Sequence, residues 1–293
     1  SHLGVELFFV LSGFLITTIL FQIRSSVESA KSTLGDGLKK FYIRRFIRIF
    51  PLYYAVIILC FVFTYPNDTI KEHFVFDLLY LNNIYQWYLN IQPKSFIHLW
   101  SLSIEEQFYL IWPFIILMVS SKNLLKTIVV TIAGGIAFRA LYFTGAGNVE
   151  ATYPMGSILL PACIDLFGMG GLLAYEFTYG SLSGKISLSR IGALFGGGIA
   201  LYAFCLVSNH GYFDKVLFRL ASALMSVALI TYCYYEKSTV LDFIFTNRLL
   251  VHIGKISYGM YLIHLLLPIS FIRESYSALL GSDMRFSVEL IVR

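Results

Sequence analysis

The sequence predicts an all-α polytopic membrane protein with about eight transmembrane helices, and three observations carry that prediction. Hydrophobic residues fill 57% of the 293 positions and charged residues only 13%, against roughly 45–50% and ~25% in soluble domains. Apolar stretches long enough, or nearly long enough, to cross a bilayer recur at roughly 4–22, 49–65, 100–120, 126–143, 157–177, 191–207, 216–235 and 256–272. The basic residues are also unevenly shared between alternate connections. Fourteen of the 22 Lys and Arg lie in 24–48, 121–126, 178–190 and 236–255, and five lie in 66–98, 208–215 and 273–285. Cytoplasmic connections carry that excess, so the first set is predicted to be cytoplasmic and the second to lie outside.

The elements follow in order. Residues 4–22 form a span with Glu6 near its outer end and the small pair Ser12-Gly13 inside, a pattern that serves either close helix packing or a polar cavity. Residues 41–51 are an amphipathic basic entry to the second span, with Arg44 and Arg48 four apart on one helical face and Arg45 beside them. Such a cluster anchors anionic headgroups, or grips a cytosolic phosphate with several guanidinium forks. His73–Leu89 is too polar to cross and is predicted to lie on the outer surface, and Leu241–Ile253 on the cytoplasmic one. Glycines at 134–135, 168–171 and 196–198 let helices approach closely. Asp165, after the helix breaker Pro161, and Arg139 sit mid-span in consecutive segments and are predicted to pair. His264 falls inside the last span, as a bonded core histidine or a cavity residue.

The chemistry-bearing stretch is His98 to Pro113 (HLWSLSIEEQFYLIWP), with Glu105 and Glu106 at the mouth of an apolar run. Ionisable groups in a hydrocarbon layer are costly unless something uses them. Ser103 and Glu106 have the spacing of a helix-capping box, which gives Glu106 a purely structural alternative. Glu105 has none; on a helix it shares a face with Tyr109 and Trp112, and with His98 and Ser101 if the helix begins earlier. His98 beside a carboxylate makes an acid/base pair possible, although a polar anchor is the commoner use of an interfacial His.

Other classes are set aside by what is present. The net charge of +5 reflects topology and carries no nucleic-acid signal. Cys60, Cys163, Cys205 and Cys233 fall in apolar segments without CxxC or Cys/His spacing, which reads as inert thiols with no metal or disulfide framework. The chain opens at Ser1 without Met and stops at Arg293 inside a new apolar run. It therefore reads as one integral-membrane domain over 1–293, incomplete at both ends.

Four stretches, taken in order, resemble the acyltransferase-3 family of membrane O-acyltransferases. Gly4 to Ile16 is similar to its GVxxFFVxSGFLI stretch and Arg44 to Pro51 to its RRxxRIxP stretch. His98 to Pro113 resembles its HxWSLxxEEQFYLxWP signature, and Ile256 to His264 its ISYxxYLxH stretch. The resemblance implies ten spans, of which the first and last are missing here. It implies transfer of an acyl group, commonly acetyl, from cytosolic acyl-CoA as co-substrate, with no bound cofactor. The acceptor is a hydroxyl of a carbohydrate or other cell-envelope molecule, and the setting is a bacterial plasma membrane. Arg44, Arg45 and Arg48 then hold the CoA phosphates, Glu105 is catalytic with Glu106 in support, and His98 is a lesser candidate base. The family's essential histidine belongs to the first span, before Ser1; His2 abuts the Gly4 stretch and does not take that role. Two other readings stand beside this one. In a transporter or flippase the same charges would line a path, and in a sensor or scaffold they would only stabilise packing.

Overall fold

The structure is a computed structural model that describes residues 3–63, 68–91, 96–145, 155–180, 187–208, 212–235 and 239–264. Eleven α-helices and two 3-10 turns are found among the described residues, without strands. They are α1 (Leu3–Glu28), α2 (Leu34–Phe63), α3 (Asp68–Leu78), α4 (Asn82–Leu89), α5 (Leu99–Met118), α6 (Leu124–Gly145), α7 (Leu160–Tyr179), α8 (Leu188–Ser208), α9 (Tyr212–Tyr235), α10 (Thr239–Thr246) and α11 (Arg248–Ile263). Among these residues six helices are long and apolar enough to cross a membrane: α1, α2, α6 with its preceding turn, α7, α8 and α9. The chain is thus a multi-pass membrane protein. α5 is a 20-residue helix packed on α1, α4 and α7, and its carboxylates and amide dilute its apolarity. The stretch expected at 256–272 begins earlier, inside α11, and its residues from 265 onward lie outside the described set.

Glycine decides how the centre assembles. A Cβ on Gly13 would strike the Phe167 carbonyl, and one on Gly170 would strike the Val10 carbonyl, so α1 and α7 meet backbone to backbone. Around that contact Phe9 stacks on Phe167 at 4.7 Å and Phe108 on Phe167 at 4.1 Å, which draws α5 onto the same seam. The buried indole of Trp112 donates to Thr17 at 2.8 Å, joining α5 to α1 a second time. Gly134, Gly196 and Gly197, expected at helix contacts, face open space, whereas Gly135 and Gly198 meet neighbouring helices. Exposed apolar side chains such as Leu59, Val62, Val129, Leu141, Leu206 and Val207 cover the outside of the bundle, as lipid contact requires.

The helix ends follow local chemistry. α2 starts on a reciprocal cap in which the Asp36 N–H donates to Thr33 and the Thr33 hydroxyl to the Asp36 carboxylate. Pro113 cannot donate to the Tyr109 carbonyl, and the Tyr42 hydroxyl donates instead to the Tyr109 and Leu110 carbonyls at 3.4 and 3.2 Å. Asn247 caps α11 through the Leu249 and Leu250 N–H groups, so the segment expected to lie flat over 241–253 is two helices, with α11 running on from Arg248 without a break.

The polar stretch 73–89, expected to lie on the outer surface, folds as a hairpin of α3 and α4 with its polar side chains turned inward. It is fastened by a buried chain in which His73 bonds Asp77 at 2.7 Å, and Asn82 donates to Asp77 and Gln86 to Asn82. The hairpin is tied to α5 by the Gln107 amide, which donates to the Tyr80 carbonyl and to Asn83, both at 2.9 Å.

Candidate active site

α5 begins at Leu99, with His98 at its N-cap position. Ser103 is consequently inside the helix, where its hydroxyl donates to the Leu99 carbonyl at 3.0 Å. The capping-box alternative for Glu106 therefore does not form, and its side chain has no backbone duty. The early start places His98, Ser101, Glu105, Tyr109 and Trp112 on one buried stripe of α5.

Glu105 is buried at the middle of that stripe and meets α1. Ser12 donates to Glu105 Oε1 at 3.2 Å, and its hydroxyl also pairs with the Tyr109 hydroxyl at 2.8 Å. The Ser12-Gly13 pair thus divides its work: Gly13 admits α7, and Ser12 holds the carboxylate. Arg45 reaches the same place from α2, with its guanidinium 4.4 Å from the centre of the Tyr109 ring and 5.8 Å from that of Phe41. Its half-buried guanidinium thus lies against the ring of Tyr109, whose hydroxyl shares Ser12 with Glu105.

The three arginines do not act as one cluster. Arg44 and Arg48 are exposed on α2, and Arg45 is turned inward. Adjacent helical positions are about 100° apart, which separates Arg44 from Arg45.

His98 is engaged elsewhere. Its Nε2 pairs with the Leu262 carbonyl at 3.1 Å, and its own carbonyl accepts from Ser101 and Tyr261. Because a carbonyl only accepts, the Nε2 carries the proton and Nδ1 is left without a hydrogen-bond partner. Burial, only partly offset by that bond and reinforced by nearby His264, pushes the His98 imidazole down to about 4. His264 is exposed, its ring 5.0 Å from that of His98. These bonds tie the start of α5 to α11.

A second polar group lies between α1, α6, α7 and α9. Arg139 and Asp165 form the expected pair, bidentate at 2.5 and 2.7 Å, and Arg139 also donates to the Ala162 carbonyl. Arg219 donates to that same carbonyl at 2.7 Å and to Glu6 at 3.2 Å. Glu6 therefore pairs with Arg219 of α9, a partner 213 positions away that no local spacing announces.

The sequence did not single out an aromatic group where α2 meets the α3–α4 hairpin: the Tyr53 and Tyr80 rings stack at 4.1 Å, and Phe50 stacks on Tyr80 at 5.5 Å. Among the described residues no three or more His, Cys, Asp or Glu side chains are placed to hold a metal ion, and all four cysteines are free. A buried carboxylate held by a hydroxyl, with a second carboxylate next to it in the chain and a cation on the neighbouring Tyr109 ring, can accept, hold and pass on a proton.

Comparison with known proteins gives this arrangement its context. A protein-family model described as "Acyltransferase domain" matches residues 1–283. The chain is 30% identical over 287 residues to the peptidoglycan O-acetyltransferase OatA of Listeria monocytogenes, covering 90% of this chain and 44% of that protein. It is 27% identical over 291 residues to YrhL of Bacillus subtilis, named as a candidate peptidoglycan O-acetyltransferase, with 90% and 44% covered. It is 30% identical over 304 residues to a Staphylococcus aureus protein named as a candidate O-acetyltransferase, with 94% and 47% covered. The chain spans less than half the length of these relatives. No solved structure matches it. With four motif stretches in the family's order and a family model that spans nearly the whole sequence, the chain belongs to the Acyltransferase domain family of membrane acyltransferases.

Proposed function

We propose that this chain is the membrane domain of a bacterial O-acetyltransferase. It takes an acetyl group from acyl-CoA on the cytoplasmic side of the plasma membrane and passes it to a hydroxyl of peptidoglycan or a similar envelope carbohydrate outside. The observation that carries this reading is the Glu105 site: a buried carboxylate bonded to Ser12, with Arg45 on the neighbouring Tyr109 ring and Glu106 next in the chain. Proton-transfer groups kept out of bulk water, between a cytoplasmic basic surface and an outer hairpin, suit transfer from a cytosolic donor to an external acceptor.

The residues then divide the work. Arg44 and Arg48, exposed on α2, meet the CoA phosphates. Arg45 joins that surface to the interior, where its charge holds the carboxylates ready. Glu105, oriented by Ser12, prepares the proton transfer, and Glu106 receives the proton from the acceptor hydroxyl. His98 serves by fixing α5 to α11. The family assignment leaves the transporter and scaffold readings without support.

The test is acetyl transfer from labelled acetyl-CoA by the full-length protein in proteoliposomes. Glu105→Gln, which keeps shape and hydrogen bonding, is expected to lower kcat by roughly 10²–10⁴-fold while the protein still inserts. The pair Arg44→Ala and Arg48→Ala is expected to raise the KM for acetyl-CoA. Retained turnover in the first variant, or an unchanged KM in the second, overturns the corresponding role.

A further inference from the structure

α11 touches α2 near its C-terminal end. The Tyr258 hydroxyl donates to the Ile49 carbonyl at 3.2 Å, a Cβ on Gly259 would meet the Leu52 side chain at 3.3 Å, and buried Leu262 packs in one cluster with Tyr53. The two chains advance together through these contacts, so the helices run parallel and both N-terminal ends lie at one side of the bundle. That is the side which the Lys and Arg count predicts to be cytoplasmic. From Arg248 to Ser257 every residue of α11 is exposed. Before Tyr258 the helix therefore stands clear of its neighbours, and a cleft opens between it and α2.

Both walls of that cleft are basic. Arg248, His252, Lys255, Gly259 and Leu262 follow at steps of four, three, four and three, which places them on one stripe of α11. The stripe that packs on α2 at one end thus carries three basic residues at the other. On α2, Arg48 and Arg44 lie four and eight residues before Leu52, exposed on the flank of the same contact. No carboxylate answers them. α2 and α11 hold one between them, Asp36, and it bonds Thr33. Facing rows of like charge repel, and a cleft of one sign with apolar surroundings draws in ions of the other.

We propose that Arg248, His252 and Lys255 form the second wall of the acyl-CoA site and grip the phosphates of the coenzyme against Arg44 and Arg48. The inference rests on the acyltransferase reading above and adds three binding residues to it. A coenzyme with several phosphates fits between two basic walls better than on one, because each phosphate group offers oxygens to both sides. Arginine supplies paired N–H donors there, and lysine a compact charge. The α2 wall continues to Arg45, which lies on the Tyr109 ring beside the Glu105 site. Phosphates held at the mouth of the cleft would place the thioester arm on that side of α2.

The experiment measures acetyl transfer by the full-length protein in vesicles of phosphatidylcholine alone. Arg248→Ala with Lys255→Ala is expected to raise the KM for acetyl-CoA about tenfold or more, with kcat within about twofold of wild type. Lys122→Ala with Lys126→Ala, which removes two exposed charges from a predicted cytoplasmic connection away from the cleft, is expected to leave the KM in place. An unchanged KM in the first variant overturns the inference, and so does an equal rise in both, which would be a general surface potential. A KM effect that appears only when phosphatidylglycerol is added would assign these cations to lipid headgroups and overturn it too. If the double variant does not accumulate, Lys255→Gln replaces it, and an unaltered KM there overturns the inference equally. Absence of acetyl transfer by the wild-type protein would instead defeat the acyltransferase reading, so the two failures are distinguishable.

Discussion

Asp165→Ala offers the sharpest probe of how the bundle tolerates buried charge. Arg139 is 1% exposed and Asp165 2%, and two charge-assisted bonds join them at 2.5 and 2.7 Å. Without the carboxylate, Arg139 keeps the Ala162 carbonyl as its acceptor, and Arg219 already uses that group. The Arg139 Nε has no partner to begin with, and the other carboxylate of the group, Glu6, is already engaged by Arg219. Charge-assisted bonds contribute about 1.5–3 kcal/mol each, and removing one member of a buried pair costs about 3–5 kcal/mol. At about 1.4 kcal/mol per tenfold, that lowers the folded-to-unfolded ratio by a hundredfold or more. Replacing both partners, with Arg139→Met and Asp165→Leu together, should recover most of the loss, because Arg219 still satisfies the Ala162 carbonyl. Denaturant titration in detergent, followed by tryptophan fluorescence, compares wild type, Asp165→Ala and the double variant. A cost below about 1 kcal/mol for Asp165→Ala, or a double variant worse than the single, would refute the reasoning.

Two further outcomes follow from the packing and the titrations. Gly170→Ala places a methyl against the Val10 carbonyl and should abolish the monodisperse folded protein, whereas Gly134→Ala, which faces open space, should leave it intact; size-exclusion profiles of fluorescent fusions read both. The buried His98 imidazole titrates near 4 when folded and near its ordinary ~6.5 when unfolded, so the unfolded chain binds more protons between those values. Stability contributed by this residue is therefore present above about pH 6.5 and lost as the pH falls toward 4; His98→Gln should flatten that slope in melting curves taken across the window.

Some of this was readable from the chain and some was not, for identifiable reasons. Apolar length located the six spans found among the described residues, and the mid-span charges pointed to the Arg139–Asp165 pair, because burying either one alone is prohibitive. The Ser103–Glu106 spacing misled, since a capping pattern does not reveal that a helix already runs through it from Leu99. The inward turn of Arg45 and the Glu6–Arg219 bond depend on which helices become neighbours, information spread over the whole fold.

The clasp at Gln107 carries a consequence for how members of this family can diversify. Its amide holds the α3–α4 hairpin by the Tyr80 carbonyl and by Asn83, and it does so from the residue after Glu106. The height of the hairpin and the position of the carboxylate are therefore one adjustment, not two. A hairpin transplanted from a relative would also shift the turn of α5 that carries Glu106. Changes in the hairpin should travel with changes in that turn, and chimaeras cut between them should insert normally yet turn over poorly.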